Sequence, residues 1–506
     1  MSFSFANIIA GFQQIGTLNC ILMIAFGTLL GIIIGALPGL TATTGVAIFL
    51  PLTFYMEPVP ALGFLVGIYC GGMYGGSITA ILINTPGTPA GAATVLDGHP
   101  MAQKGEAYRA LQMALYASTI GGLISCVALM FFAPLLASAA LKFSYAEYFA
   151  LGVFGLSIVA GLSNGNIFKG LLACCIGLFI GCMGMDPISG YPRLTFGVTS
   201  FLGGFQLIPV LIGIFAFSEL IKQCAEKVRR KDEKEEIFPV SGKSLTKADW
   251  KRSISPLIKG SLIGTFIGAV PATGGGTAAF LSYGEARRAS KHPEEFGNGS
   301  IEGIAASESA NNGATGGTFI PMLCLGIPGD SVTAVLMGAL IIQGLTPGPT
   351  LFTDHADTVN GLYIALLIAN IFMLIMGQVG LRWFYKVCLI PKEILQPIIF
   401  GLCLIGSYAA NSNLFDVGTM LVFGLLGYLL IRAGVPMTPI LLGLILGNIT
   451  ESNLRRGLIP TQGNFLKFIN RPICLAILAI TIFSLAFTII RMLRDRKAGK
   501  EINEEE

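Results

Sequence analysis

The chain has 506 residues, 53% of them hydrophobic and 12% charged, with a formal net charge of +4 and a mean hydropathy of +0.73. A soluble domain carries about 25% charged residues, so this composition excludes an ordinary water-soluble enzyme and fits a chain dissolved in lipid. The positive charge is spread over loops that flank apolar runs, which reads as membrane topology and not as nucleic-acid binding. Length alone would suggest about three soluble domains. The apolar runs recur from end to end, however, and one polytopic membrane domain is expected, with abundant Gly suited to close helix packing in lipid.

In chain order, the first half opens with an apolar run broken at Gly35–Gly45, GALPGLTATTG. It reads as a re-entrant hairpin over 17–56 whose tip carries Pro38, Gly39, Thr41, Thr43 and Thr44. Spans are expected near 61–83, 110–136, 148–163, 168–183 and 200–221. A second break, Gly75–Pro89 (GGSITAILINTPGTP), supplies Asn84, Thr85, Gly87 and Thr88. The charged linker 222–254 contains KVRRKDEKEE and separates the halves. The second half starts with a hairpin over 255–284, tipped by Pro271, Thr273, Gly274, Gly275 and Thr277. Its spans are expected near 301–326, 361–381, 397–411, 417–433 and 439–450. Its second break, Gly316–Ser331 (GGTFIPMLCLGIPGDS), supplies Pro328, Gly329, Asp330 and Ser331. A last helix near 472–490 leads to a tail that is basic from Arg491. The expected units are therefore repeat 1 (1–221), the linker (222–254), repeat 2 (255–471) and the final helix with its tail (472–506).

Late segments agree as well: Ser163–Gly170 (SNGNIFKG) matches Asn411–Gly418 (NSNLFDVG), and Met185-Asp186-Pro187 matches Met437-Thr438-Pro439. Equivalent loops differ in charge. After the first break the first half has no basic residue at Pro58–Ala61, while the second has Arg287, Arg288 and Lys291. After the second break the first half has Lys104 and Arg109, while the second has TPGPTLFTDHADT. Basic loops stay in the cytoplasm, so equivalent loops lie on opposite sides. The expected fold is thus an all-α polytopic membrane protein of two inverted-topology repeats, with the linker and C-terminus cytoplasmic. No Lys or Arg precedes Lys104, so a signal peptide with a basic n-region is not expected. The arrangement leaves Lys142, Arg193, Arg455, Arg456, Lys467 and Arg471 outside. The last four form a cluster suited to an acidic partner or an anionic substrate. Several spans fall short of the ~20 residues a crossing helix needs, as tilted neighbours of half-helices would.

Unwound backbone at membrane depth survives where it lines a cavity or is buried in protein. Half-helix N-termini suit a carboxylate, and half-helix carbonyls suit Na⁺. The plainer alternative is that Gly-Thr breaks only kink packed helices. Glu308, with Asn311 and Asn312, falls inside an expected span, where an ionisable group is costly. It is a candidate proton carrier or Na⁺ ligand; the alternative is a carboxyl at a helix start near the cytoplasmic face. Asp330 is either a helix cap or part of a cation site. The eleven cysteines show no metal spacing and read as core-filling thiols. No P-loop is present. His99, His292 and His355 all fall in predicted loops, leaving Ser77 or Ser331 without a base for hydrolysis. No tightly bound metal or cofactor is expected. A carboxylate channel or uniporter without gradient coupling is the competing function.

These segments resemble the large membrane subunit of the tripartite tricarboxylate transporter family (TctA type). The resemblance rests on GALPGLTATTG, on YCGGMYGGSITAILINTPGTPAGAATVLDGHPMAQKG, on GAVPATGGGTAAFLSYGEARRASK, and above all on ESANNGATGGTFIPMLCLGIPGDSVTAVLMGALIIQGLTPGP. It implies a secondary transporter of the bacterial inner membrane with two partners, a small membrane subunit and a periplasmic solute-binding protein. It also implies tricarboxylate substrates such as citrate, or related carboxylates, and Na⁺ or H⁺ as the coupling ion of a symport. A homodimer of the complex is a further assembly considered. In this reading the opposed tips Pro38–Gly45 and Pro271–Thr277 enclose the substrate, and the second breaks complete the site.

Overall fold

In lipid, every backbone N–H and C=O needs a partner inside the protein, which restricts spanning segments to helices or closed barrels. This chain answers with helices. The computed structural model describes residues 5–158, 167–186, 188–229, 238–240, 242–271 and 273–497. Among them seven helices are long and apolar enough to cross a membrane: Leu18–Gly35, Pro58–Ile83, Ala107–Ala140, Leu207–Ala225, Ala356–Phe384, Glu393–Asn411 and Leu414–Arg432. The only sheet among the described residues pairs Gly184–Met185 with Pro192–Arg193. Most of the charged run in the linker (230–237), the start of SNGNIFKG, Pro187, Ala272 in the second tip and the tail from 498 lie outside the described residues.

The centre is built on close backbone approach. Gly27, Gly31 and Gly35 recur every four residues and so share one helix face. A Cβ at these positions would stand 2.1, 2.4 and 2.4 Å from the carbonyl oxygens of Phe64, Ile68 and Gly72 on the Pro58–Ile83 helix. The second half repeats the contact. A Cβ at Gly260, Gly264 or Gly268 on the Lys247–Ala269 helix would meet the carbonyls of Ala306, Ala310 and Ala314 at 2.7, 2.2 and 2.7 Å. Small residues permit such packing where lipid removes the hydrophobic drive between helices. The two central helices then cross over. Pro58–Ile83 packs on Ala356–Cys388 of the other half, and Ile301–Leu325 packs on Ala107–Ala140. Both are buried along nearly their whole length.

Several boundaries differ from expectation. The span expected near 200–221 begins at Leu207. The residues before it form the hairpin and a 3-10 turn, because Gly184, Gly190, Gly197 and Gly204 take positive φ, which a helix does not accommodate. That span also contains a π-helical stretch, Ile212–Phe217. The segment expected near 439–450 is the Thr438–Leu458 helix, so Arg455 and Arg456 sit on its last turn, where cations meet the negative helix end. Helices outside the expected spans include Gly91–Gln103, Phe5–Ile15 and Ser331–Ile342, the last being the helix that an Asp330 cap opens. The first carries His99, which therefore lies in a helix and not in a loop. Its Gly, His and Pro residues are weak helix formers; packing of a buried face on the second half overrides them.

Candidate functional site: four breaks that meet

The two central helices end alike. Pro58–Ile83 stops at Asn84 with φ 57, and Ile301–Leu325 stops at Gly326 with φ 69. Left-handed residues at this position close a helix by bonding its last carbonyls. Pro86-Gly87 and Pro328-Gly329 follow, and each glycine folds back on its own helix. A Cβ at Gly87 would stand 2.6 Å from Cα of Gly76, and one at Gly329 2.6 Å from Cα of Thr318. A hydroxyl or carboxylate then receives the next helix start. Thr88 Oγ1 accepts from Gly91 N–H at 3.2 Å, and Asp330 Oδ1 accepts from Thr333 N–H at 2.7 Å.

The first breaks are also turns into new helices. Gly39 has φ 84, and Thr41 caps Ala42–Phe49 by accepting from Thr44 N–H at 3.2 Å. In the second half Gly274 has φ 64 and begins Gly274–Ala289. There the Thr273 hydroxyl donates to the carbonyls of Ile267 at 2.5 Å and Val270 at 2.8 Å, closing its own turn.

All four breaks converge. Thr43 and Ser331 share a hydroxyl hydrogen bond of 2.9 Å across the halves. A Cβ at Gly274 would stand 3.8 Å from Cβ of Asp330, one at Gly275 3.2 Å from Asn311 Oδ1, and one at Gly276 3.4 Å from Cβ of Pro89. Gly87 lies against the Gly35 carbonyl. Four helix N-termini therefore start in one place. Each carries about +0.5 elementary charge and unbonded N–H groups. Pro38, Pro271 and Pro328 are buried behind them. Not every expected residue joins in: Asn84 and Thr277 are exposed, and the Thr85 hydroxyl donates to the Ile83 carbonyl.

Beside the breaks lies a buried polar chamber. Glu308 stands in the third turn of its helix and is fully buried; the acid at the helix start is Glu302, paired with Arg252 at 2.9 Å. Thr94 donates to Glu308 Oε1, Ser118 donates to Oε2 at 2.9 Å, and Thr94 also meets Ser307 at 3.1 Å. The Ser77 hydroxyl and the Asn311 side chain also interact with the Glu308 carboxyl. Among the described residues the buried Tyr74 hydroxyl and the Asn312 side-chain amide have no hydrogen-bond partner within the protein, where buried polar groups are nearly always bonded. Asp330 resolves as a cap. Its Oδ1 is held by Thr333 N–H and hydroxyl, and its Oδ2 accepts from Tyr69 Oη at 2.7 Å. Sequence reasoning missed Tyr69, Thr94, Ser118 and Asp97, whose partners all lie some 200 residues away.

The basic cluster resolves as internal pairing for two of its members. Arg455 bonds Asp186 at 2.8 Å and Glu451 at 3.2 Å, and Arg471 forms an ion pair with Glu147 at 2.9 Å. The Ser189 hydroxyl, with the guanidiniums of Arg455 and Arg193, holds the Asp186 carboxyl well below the usual carboxylate range. At the start of the Lys247–Ala269 helix, Asp249 accepts from Thr246 N–H at 2.8 Å and from Arg109 Nε at 3.1 Å. Burial raises its carboxyl, but these bonds outweigh burial and leave it below its ordinary value.

The apolar helices, seven of them long enough to cross a bilayer, define a multi-pass membrane protein. The chain belongs to the tripartite tricarboxylate transporter TctA family, whose profile matches residues 21–442. That family is part of transporters that work with a binding protein and a small membrane subunit. Two proteins of Agrobacterium vitis are similar to it. An uncharacterized 52.8 kDa protein of the TAR-I ttuC' 3' region is 39% identical over 492 residues, 97% of each chain. An uncharacterized protein of the TAR-II ttuC' 3' region is 38% identical over 234 residues, 46% of this chain and 97% of its own length. No solved structure matches.

Proposed function

We propose that the chain is the substrate-carrying subunit of an importer that takes citrate-like carboxylates across the bacterial inner membrane by Na⁺ or H⁺ symport. A periplasmic binding protein delivers the substrate, and a small membrane subunit completes the assembly. The two halves act as inverted-topology repeats with re-entrant hairpins, the linker and C-terminus facing the cytoplasm. The parallel glycine contacts and the matching left-handed caps Asn84 and Gly326 support that symmetry.

The observation that carries the reading is the meeting of four helix N-termini at Thr43, Pro89, Gly274 and Ser331. Their N–H groups and positive dipole ends suit carboxylate oxygens, and the hydroxyls of Thr41, Thr43, Thr44 and Ser331 add directional bonds. The Asp330 carboxylate sits at the same place. Two like charges ~4 Å apart repel by about 4 kcal/mol at an effective dielectric of 20, so an anion enters most readily with a cation. Glu308, Asn311 and Asn312 supply oxygens for that cation, or Glu308 takes a proton. A neutralised pair then moves through the low-dielectric interior at much smaller cost than a bare anion.

The test is uptake of labelled citrate by proteoliposomes holding the chain and its small partner, with loaded binding protein outside. A Na⁺ gradient and a pH gradient are imposed separately. Accumulation that requires the binding protein and one gradient is expected; flux that requires neither would make the protein a channel. In the same assay Glu308→Gln is expected to leave assembly intact and cut gradient-driven uptake at least ten-fold. Unchanged uptake at every pH and Na⁺ concentration would remove Glu308 from the mechanism.

A further inference from the structure

We propose that the short helix Gly91–Gln103 is the coupling element, a lever that links occupancy of the breaks to the state of Glu308, with Thr94 and Asp97 as its positioning residues. The inference rests on the symport reading above. Ala90, Thr94, Asp97 and Met101 are spaced four, three and four residues apart, so they share one helix face. That face meets the second half at every level. A Cβ at Gly275 in the second tip would stand 3.5 Å from Ala90 Cβ. One turn on, Thr94 donates to Glu308 Oε1 and meets Ser307 at 3.1 Å.

A further turn on, Asp97 Oδ1 accepts three backbone N–H groups, from Gly297 at 2.8 Å, Gly299 at 2.9 Å and Ser300 at 2.9 Å. Positive φ at Gly297 and Gly299 turns successive N–H groups inward into a concavity that suits an anion. Lys104 adds a bond to the Asn298 carbonyl at 2.5 Å. A Cβ at Gly303 would stand 2.0 Å from Asp97 Oδ2, so only glycine leaves room for the carboxylate.

The helix is thus anchored at the Asp97 end and abuts the substrate breaks at the other, about 10 Å away at 1.5 Å per residue. Thr94 lies between. A substrate that displaces Pro89 and Ala90 tilts the helix about its anchor and moves the Thr94 hydroxyl relative to Glu308 Oε1. By linkage the converse holds: a cation that takes that oxygen from Thr94 shifts the breaks, and each ligand changes the other's affinity by the same factor. Ser118, which serves Oε2 from a different helix, does not ride on the lever.

The experiment uses the complete three-component assembly in proteoliposomes and the carboxylate that the wild type accumulates. Two quantities are read: gradient-driven accumulation, and exchange of internal for external substrate at equal cation, which needs the site but not the coupling. Thr94→Val keeps the shape and loses the hydroxyl. It is expected to lower accumulation at least ten-fold while exchange stays within about two-fold, and Thr94→Ser is expected to restore accumulation. Gly303→Ala, which drives Asp97 from its anchor without touching Thr94, is expected to uncouple likewise and serves if Thr94→Val fails to assemble. Wild-type accumulation in assembled Thr94→Val and Gly303→Ala would overturn the lever alone. So would loss of exchange in step with accumulation, because the helix would then be scaffold. A wild type that accumulates without any gradient would overturn the symport reading itself, and would be seen before any variant was made.

Discussion

The first tip and the second tip occupy equivalent places in the two halves but are held differently. The first is braced by other segments. Gln223 Nε2 donates to the Gly39 carbonyl at 2.9 Å, Thr44 reaches the Phe215 carbonyl in the π-helical stretch at 3.5 Å, and Thr43 and Thr44 are buried. In the second, the side-chain hydrogen bonds among the described residues come from its own Thr273; its glycines pack on Asp330, Asn311 and Pro89, and Thr277, Phe280 and Leu281 beyond it are exposed. Where few contacts hold a segment, local opening is cheap. The comparison predicts a first tip that stays closed and a second that opens more readily.

The largest expected difference is between two glycine substitutions. Gly39→Ala adds to left-handed strain a Cβ 2.8 Å from Gln223 Nε2, which pushes that amide off the Gly39 carbonyl, and should cost ~2 kcal/mol. Gly274→Ala carries the strain but meets only Asp330 Cβ at 3.8 Å, and should cost about 1 kcal/mol. Thermal midpoints of the purified complex read both, and equal losses would break the comparison. Next come two hydroxyls. Thr43→Val removes a bond worth ~1 kcal/mol at the site itself and is expected to weaken citrate binding about five-fold in equilibrium dialysis. Thr273→Val should leave affinity unchanged and lower stability, because its hydroxyl serves only its own turn. Gln223→Leu should cost about 1 kcal/mol and speed amide exchange in the first tip toward that of the second.

The smallest effect is a pH dependence. The folded Asp249 carboxyl is lowered, so its clamp on Arg109 stabilises fully above the unfolded value of about 3.9. That contribution is lost as pH falls through the folded value. Asp249→Asn should flatten the acid limb of a stability–pH curve, and an unchanged limb would assign it to other carboxylates.

Much of this was legible in the sequence. Pro38, Pro271, Pro86 and Pro328 interrupt apolar runs at matching places, each next to or near a glycine; the pairing marks the break, since proline alone does not, Pro134 and Pro321 lying inside helices. Glu308 was legible for the same kind of reason: a carboxylate in an apolar setting is conspicuous. The residues that serve it were not. Thr94 and Ser118 are ordinary hydroxyls in helices, and only the tertiary fold brings them to Glu308 across 214 and 190 residues. Asp97 stood in plain view within VLDGHP, yet its Oδ1 is held by the backbone N–H groups of Gly297, Gly299 and Ser300, which leave no side-chain signal. The helix around it was missed because its local propensity is poor and its stability comes from packing. Arg455 looked like a free cation because its partners, Asp186 and Glu451, are a loop acid and a residue one turn back.

The central claim is that the four breaks form one carboxylate site. Its most direct measurement is substrate protection of single cysteines, with Cys175, Cys182 and Cys224, the exposed thiols, replaced by Ser. Ser331→Cys sits where the N-termini meet, and Thr277→Cys sits on the exposed face of the same second tip. Saturating citrate is predicted to slow maleimide labelling of Ser331→Cys several-fold and to leave Thr277→Cys unchanged. No protection at Ser331→Cys in a variant that still transports, or equal protection at both positions, would contradict the account.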